Sequence, residues 1–406
     1  MQNVNNVNNV LYFFLLMFIF TIAISKTINL IFFILLYMVF LVQFKNTIKH
    51  SFKKILKDKV FLSFLLFLTV SLIGITYSEN KIEGLKRTKL LINFPLIYFL
   101  FFTFKLRFSI DEYRNFLKKL IEIFIWGIFF LDAGGFLEFF ILHKNVLIPF
   151  RPLGLNHLWA GNVNALAFLI CFVEFYFERK KILTIPLFIF LISMFLTGAR
   201  TGWMGFSISW LLLGFLISRF KKSAFTFISF LVFLGVTFMF MYKIGFVKER
   251  FHLVASEIKE YGKGIKGTSI GLRFEMWKAS YYIIKKHFLF GAGTGDYQLE
   301  VKKLAKEKKV FPGIVRFNHP HNTYLFIWDT LGLAGLIIFF VFCAKIIKIG
   351  FKMLKKYPKE SLILLTVTTE ILVGSLTENL VYIHIIFIIF SFVISACILP
   401  EKVENV

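Results

Sequence analysis

Long apolar runs separated by short polar breaks organise this chain. A bilayer core about 30 Å thick needs roughly 20 apolar residues per helix, and about 17 suffice. Runs at 11–24, 28–44 and 60–76 approach or meet that length. The same pattern predicts further spans at 89–104, 116–142, 160–177, 182–197, 201–217, 223–242, 323–344, 361–377 and 380–399. The expected fold is an all-α integral membrane protein of about twelve transmembrane helices, one polytopic domain over 1–406. One segment, 243–322, breaks the rhythm. Within it Phe274, Trp277, Tyr281, Ile284 and Phe288 recur at helical spacing, with Lys278, Lys285 and Lys286 off that stripe. This predicts an amphipathic helix lying against the membrane surface or capping the bundle.

Composition closes the soluble alternatives. Of 406 residues, 58% are hydrophobic, against about 45–50% in an ordinary globular domain. The formal charge of +25 would suggest nucleic acid in a soluble protein, but here the cations cluster in short loops. With the N-terminus inside, the inner loops and the C-terminal tail carry 24 Lys and Arg and the short outer loops 8. That asymmetry obeys the positive-inside rule. It predicts cytoplasmic termini and an outer, periplasmic position for 243–322, inserted between spans nine and ten. Nucleic acid is not an expected partner; membrane lipids are. Cys171, Cys343 and Cys397 all lie in apolar runs without metal-site spacing. No basic residue precedes the first run, so it reads as a retained helix rather than a cleaved signal.

The predicted topology gathers polar residues from distant parts of the chain at one membrane face. Arg200 sits in LTGARTGW at the outer end of a span, followed by Trp203. Arg273 opens the amphipathic helix in GLRFEMW, and His319, His321 and Asn322 lie in FNHPHNTYL. Two arginines and a histidine at a water–lipid boundary suit an anionic, lipid-linked substrate, because planar guanidinium makes paired contacts with phosphate. Pro320 favours a first helical turn. This places His321 inside the start of a helix over 320–344, neutral and able to take a proton. Gly332, almost three turns on, then shares its face and admits a neighbouring helix. The plainer alternatives are an interfacial histidine, a snorkelling Arg200 and a solvated Arg273. GAGTG at 291–295 follows a helix rather than a strand and reads as a turn. His319 and His321 lack an accompanying carboxylate or cysteine cluster in sequence, so no metal is expected. Glu122, Asp132, Glu138, Glu174, Asp329, Glu370 and Glu378 fall in or at the ends of spans, which keeps a proton-coupled transporter open.

The ordered motifs LTGARTGW, GLRFEMWKAS with HFLFGAGTGDY, and HPHNTYLFIWDTLGLAGL resemble the O-antigen ligase family, which also includes polymerases and protein O-oligosaccharyltransferases. The resemblance covers roughly 150–345. GNVNALAF with Arg151 upstream is similar to a further family segment. Where the family pattern places Leu four residues after its arginines, this chain has Met204 and Trp277. The resemblance implies a glycosyltransferase at the periplasmic face of the bacterial inner membrane, in lipopolysaccharide biosynthesis. It implies an undecaprenyl-diphosphate-linked glycan as donor, a sugar hydroxyl of lipid A–core as acceptor, and no cofactor or metal. By the same resemblance His321 is the general base, and Arg200 and Arg273 hold the diphosphate. His319, Asn322, Gly332, Trp203 and Arg151 support them. Ligase, polymerase and transporter all stand as readings at this point.

Overall fold

The computed structural model describes residues 9–141 and 156–399, the side chains of His157 and Phe246 excepted. Its elements in chain order are α1 (Asn9–Thr21), α2 (Lys26–Gln43), α3 (Lys45–Ile55), α4 (Lys59–Thr76), α5 (Lys81–Leu91) and α6 (Asn93–Arg107). Then come α7 (Ile110–Ile141), α8 (His157–Glu178), α9 (Thr184–Leu196), α10 (Arg200–Lys221) and α11 (Ala224–Lys243). After α11 follow α12 (Phe246–Gly262), α13 (Ser269–Lys286), α14 (Tyr297–Lys306), α15 (Thr323–Met353), α16 (Pro358–Gly374) and α17 (His384–Cys397). No strand occurs among the described residues. Every predicted span has a helical counterpart, and among the described residues eight helical stretches, with α5 and α6 taken as one, are long and apolar enough to cross a membrane. Three shorter apolar helices accompany them.

Burial divides these helices into two kinds. α16 and α17 are buried along nearly their whole length and form the centre. α2 and α11 leave large apolar side chains such as Met38, Val42, Phe225 and Val232 more than half exposed, the condition of helices that face acyl chains. The helix ends sort into two layers. At one end Arg107 donates to Thr47 Oγ1, Lys345 to the Lys59 carbonyl, and Arg114 pairs with Glu360. At the other, Ser78 and Asn80 bind Asp296, and Thr377 bonds Thr201. Three of the cation-rich loops predicted to share a side, 45–59, 105–115 and 345–360, are thereby joined at one end.

The segment 243–322 is ordered, not a loop with one helix. α13 forms as expected, but with a different face inward. Leu272, Met276, Ala279 and Ile283 are buried, while Tyr281 and Phe288 of the predicted stripe are exposed. Both faces are apolar. Periodicity finds the helix but cannot choose which apolar face meets protein and which meets lipid. The GAGTG turn docks back on the bundle, with Thr294 donating to the Ser71 carbonyl at 2.7 Å.

α15 is broken at Gly332, whose backbone (φ 70°, ψ −172°) is not helical. The loop after α13 enters this break. Leu333 N–H donates to Phe288 O at 2.9 Å and Ala334 N–H to Leu289 O at 3.2 Å. From the other side Ala292 and Gly293 N–H donate to Asp329 O and Thr330 O. A Cβ at Gly332 would collide with the Leu289 carbonyl. The glycine admits a loop backbone, not the neighbouring helix its spacing suggests, and its positive φ requires glycine independently.

Candidate functional site

α15 starts at Thr323, with Asn322 as its N-cap: the Asn322 side chain accepts from Leu325 N–H at 3.0 Å and donates to Leu376 O at 2.9 Å. His321 therefore precedes the helix rather than sitting in its first turn, and its backbone is left-handed, φ 50°. Pro320 ends an approach segment; the capping preference of Asn is the stronger start signal. Thr323 N–H bonds Ser375 O at 2.9 Å, stitching the start of α15 to the end of α16.

That stitch brings in Glu378, which the sequence offered only as one of several carboxylates near spans. His321 Nδ1 lies 2.8 Å from Glu378 Oε2 and 3.0 Å from Oε1. Burial pushes the Glu378 carboxyl up. The hydrogen bonds from His321 and from the Asn379 N–H outweigh it and hold the carboxyl below its usual range. An ionised carboxylate accepts only, so Nδ1 carries a proton, and the lone pair of the neutral ring falls on Nε2. This is how a carboxylate orients a histidine base.

His319 has another character. Its Nδ1 accepts the His321 N–H at 3.2 Å. Burial lowers its pKa to about 3; Glu378 opposes this, while His321, Arg87 and Arg273 reinforce it. Although its Nδ1 is 4.0 Å from Glu378, it is a neutral acceptor, not half of an ion pair. Ligand atoms of His319, His321 and Glu378 lie within 4.8 Å of one another, a donor set that could take a divalent ion. The same Nδ1 and carboxylate are already joined directly, and a metal would have to separate them.

Arg200 and Arg273 line one cavity of about 680 Å³. A third arginine, Arg250 of α12, lines it with them, and its guanidinium lies against Gly198, where a Cβ would come within 2.5 Å of Nη2. Arg250 was one of sixteen cations in 243–322 with nothing local to mark it. Among the described residues none of the three forms an ion pair with a carboxylate; the nearest opposing charge acting on Arg200 is Glu257. Arg273 donates to Ser269 Oγ at 3.0 Å, and its buried Nε has no partner.

Two links connect this cavity to the histidines. Trp277, a cavity wall, donates its indole N–H to Pro320 O at 3.0 Å. Thr377, another wall residue, immediately precedes Glu378. Trp277 at the position where Leu was expected thus holds α13 to the histidine segment. A smaller apolar groove of about 300 Å³ adjoins the cavity, sharing Arg200, Met204 and Arg250 and adding Trp203, Phe238 and Phe251. Trp203 is fixed by its N–H to Met194 O at 3.0 Å. Arg151 lies outside the described residues.

The span carboxylates divide among separate settings rather than forming one relay. Glu122 and Glu174 pair with Lys180 and Lys359, Asp132 bonds Asn164, Asp329 bonds Ser280, and Glu370 has no hydrogen-bond partner among the described residues.

Residues 185–340 match the family model described as O-antigen ligase. The match runs from α9 into α15 and contains Arg200, Arg250, Arg273, His321 and Gly332. The chain is also 30% identical over 191 residues to an uncharacterized protein of Haemophilus influenzae, a stretch spanning 45% of this chain and 48% of that protein. Over residues 185–340 this multi-pass membrane protein is thus similar to the O-antigen ligase family.

Proposed function

We propose that the chain transfers a polysaccharide from undecaprenyl diphosphate to a sugar hydroxyl of lipid A–core at the periplasmic face of the inner membrane, with both termini cytoplasmic. The observation that carries this reading is the cavity with three arginines and no carboxylate ion pair among the described residues, beside a carboxylate-oriented histidine. Cations without protein counter-ions suit a diphosphate, and the adjoining apolar groove suits the first units of its lipid.

In the reaction His321 Nε2 takes the proton of the acceptor hydroxyl. The hydroxyl oxygen forms a bond to the anomeric carbon, and the bond from that carbon to the diphosphate oxygen breaks. The leaving diphosphate keeps the electron pair, and Arg200, Arg250 and Arg273 stabilise the charge it gains. Glu378 stabilises the imidazolium until the proton leaves to water. No step requires a nucleotide or a reductant.

The test is transfer by purified protein in vesicles holding an undecaprenyl-diphosphate glycan and lipid A–core. Wild type should yield glycan on lipid A–core, and His321→Ala should lose about 10²–10⁴ in rate while remaining folded. Longer undecaprenyl-linked chains in place of that product would identify a polymerase. Near-normal transfer by His321→Ala would remove the base.

A further inference from the structure

Two cavities meet the histidine segment from different sides. The second, about 340 Å³, is lined by Lys26, Arg87, Trp159, His319, Asn379 and His384 among others. Consecutive residues separate it from the arginine cavity. Thr377 lines the first, Glu378 holds His321 and Asn379 lines the second. Leu158 and Trp159 divide in the same way.

The second cavity is prepared for a polar occupant. Asn379 is 1% exposed, yet neither its Oδ1 nor its Nδ2 has a hydrogen-bond partner among the described residues. His384 Nδ1 is buried and likewise has no hydrogen-bond partner among the described residues. A buried polar group without a partner is destabilising, and a ligand that bonds it offsets that cost. Lys26, at the first position of α2, pairs with no carboxylate among the described residues. Arg87 is bound to Glu83 at 2.9 Å and donates to Asn318 O at 3.4 Å, bringing a second cation to the rim. Trp159 supplies an apolar ring of the kind that packs on sugar C–H faces.

We propose that this cavity is the acceptor site and that it selects a sugar carrying an anionic substituent, a phosphate or carboxylate held by Lys26 and Arg87. Asn379 bonds the sugar's hydroxyl groups, and the reacting hydroxyl faces the histidine pair. The proposal rests on the glycosyl-transfer reading above. It gives donor and acceptor separate cavities on two sides of the base, as a displacement at carbon requires for alignment.

The experiment uses the full chain in vesicles, the same donor, and lipid A–core in native, phosphatase-treated and carboxyl-reduced forms. Lys26 is exposed at a helix start, so Lys26→Gln should fold. It should raise the KM for native acceptor on the order of tenfold, the loss of one charge-assisted contact, with the donor KM unmoved, and Lys26→Arg should recover most of it. Asn379→Ala should raise acceptor KM in the same selective way. One of the two acceptor treatments should reproduce the rise in wild type and add nothing in Lys26→Gln; which one does names the anion. An unchanged acceptor KM in both Lys26→Gln and Asn379→Ala, a rise in donor KM instead, or indifference to both treatments overturns the acceptor site while leaving transfer intact. A wild-type protein that transfers nothing in this assay defeats the transfer reading itself, and the acceptor site with it.

Discussion

Two groups of cations at opposite ends of the helix bundle are matched in opposite ways. At the end formed by α7, α8 and α16, cations have carboxylates. Lys359 bridges Glu174 at 3.0 Å and Glu178 at 2.8 Å, Lys118 also pairs with Glu178, Lys180 with Glu122, and Arg114 with Glu360 at 2.7 Å. At the end formed by α10, α12 and α13, Arg200, Arg250 and Arg273 surround a cavity without such a partner among the described residues. The first arrangement holds helices together; in the proposed function the second is the one that receives an anion. On that proposal buried charge marks the site through its missing counter-ion, whereas buried pairs serve structure.

The largest effect that would sharpen this contrast is at the paired end. Lys359→Met strands Glu174, which is fully buried, and should cost about 3–5 kcal/mol of stability. Unfolding in detergent reads it, with donor KM unmoved; a loss of donor affinity at unchanged stability would erase the distinction between the ends. Next come the arginines. Arg200→Lys, Arg250→Lys and Arg273→Lys should each weaken transfer by about 1–3 kcal/mol, because a guanidinium offers paired donors that an ammonium lacks. Full activity in all three would make them headgroup anchors.

Smaller is the effect of pH on the histidine segment. His319 has a folded pKa of about 3, below its ordinary 6.5. The unfolded chain therefore binds the proton first, and the stability from its neutral form declines as pH falls below about 6.5 toward 3. Glu378, also lowered, adds its loss only in the acid range below the ordinary carboxylate value. The melting temperature of wild type should drop from pH 7 to 5 more than that of His319→Gln, and equal slopes would reject the assignment. Smallest is chelation. EDTA should leave the rate unchanged, whereas inhibition reversed by zinc would reassign His319, His321 and Glu378 as ligands.

Much of this architecture is legible in sequence because a bilayer imposes length and polarity on every span. Arg200, Arg273 and His321 could be singled out since each sits beside a recognisable break between element types. Glu378 and Arg250 could not, because their roles come from contacts across 57 residues and across helices, with no local signature. The start of α15 was misplaced for a nearer reason: Pro320 and Asn322 are both start signals, and the cap prevails because its side chain closes an open N–H. The inward face of α13 was hidden by its second apolar face, which resembles the first until lipid is distinguished from protein.

The break in α15 carries a consequence for biogenesis. Leu333 and Ala334 lend their N–H groups, and Asp329 and Thr330 their carbonyls, to the loop that follows α13. In acyl chains each such group left open is costly, so α15 cannot settle in the bilayer as an independent hydrophobic rod. Its partner loop precedes it in the chain and is synthesised first. Threading of that loop into the incoming helix would then be a step of insertion, and a protein that had failed to join its arginine helix to its histidine helix would be unfinished in the eyes of membrane quality control before any substrate reached it.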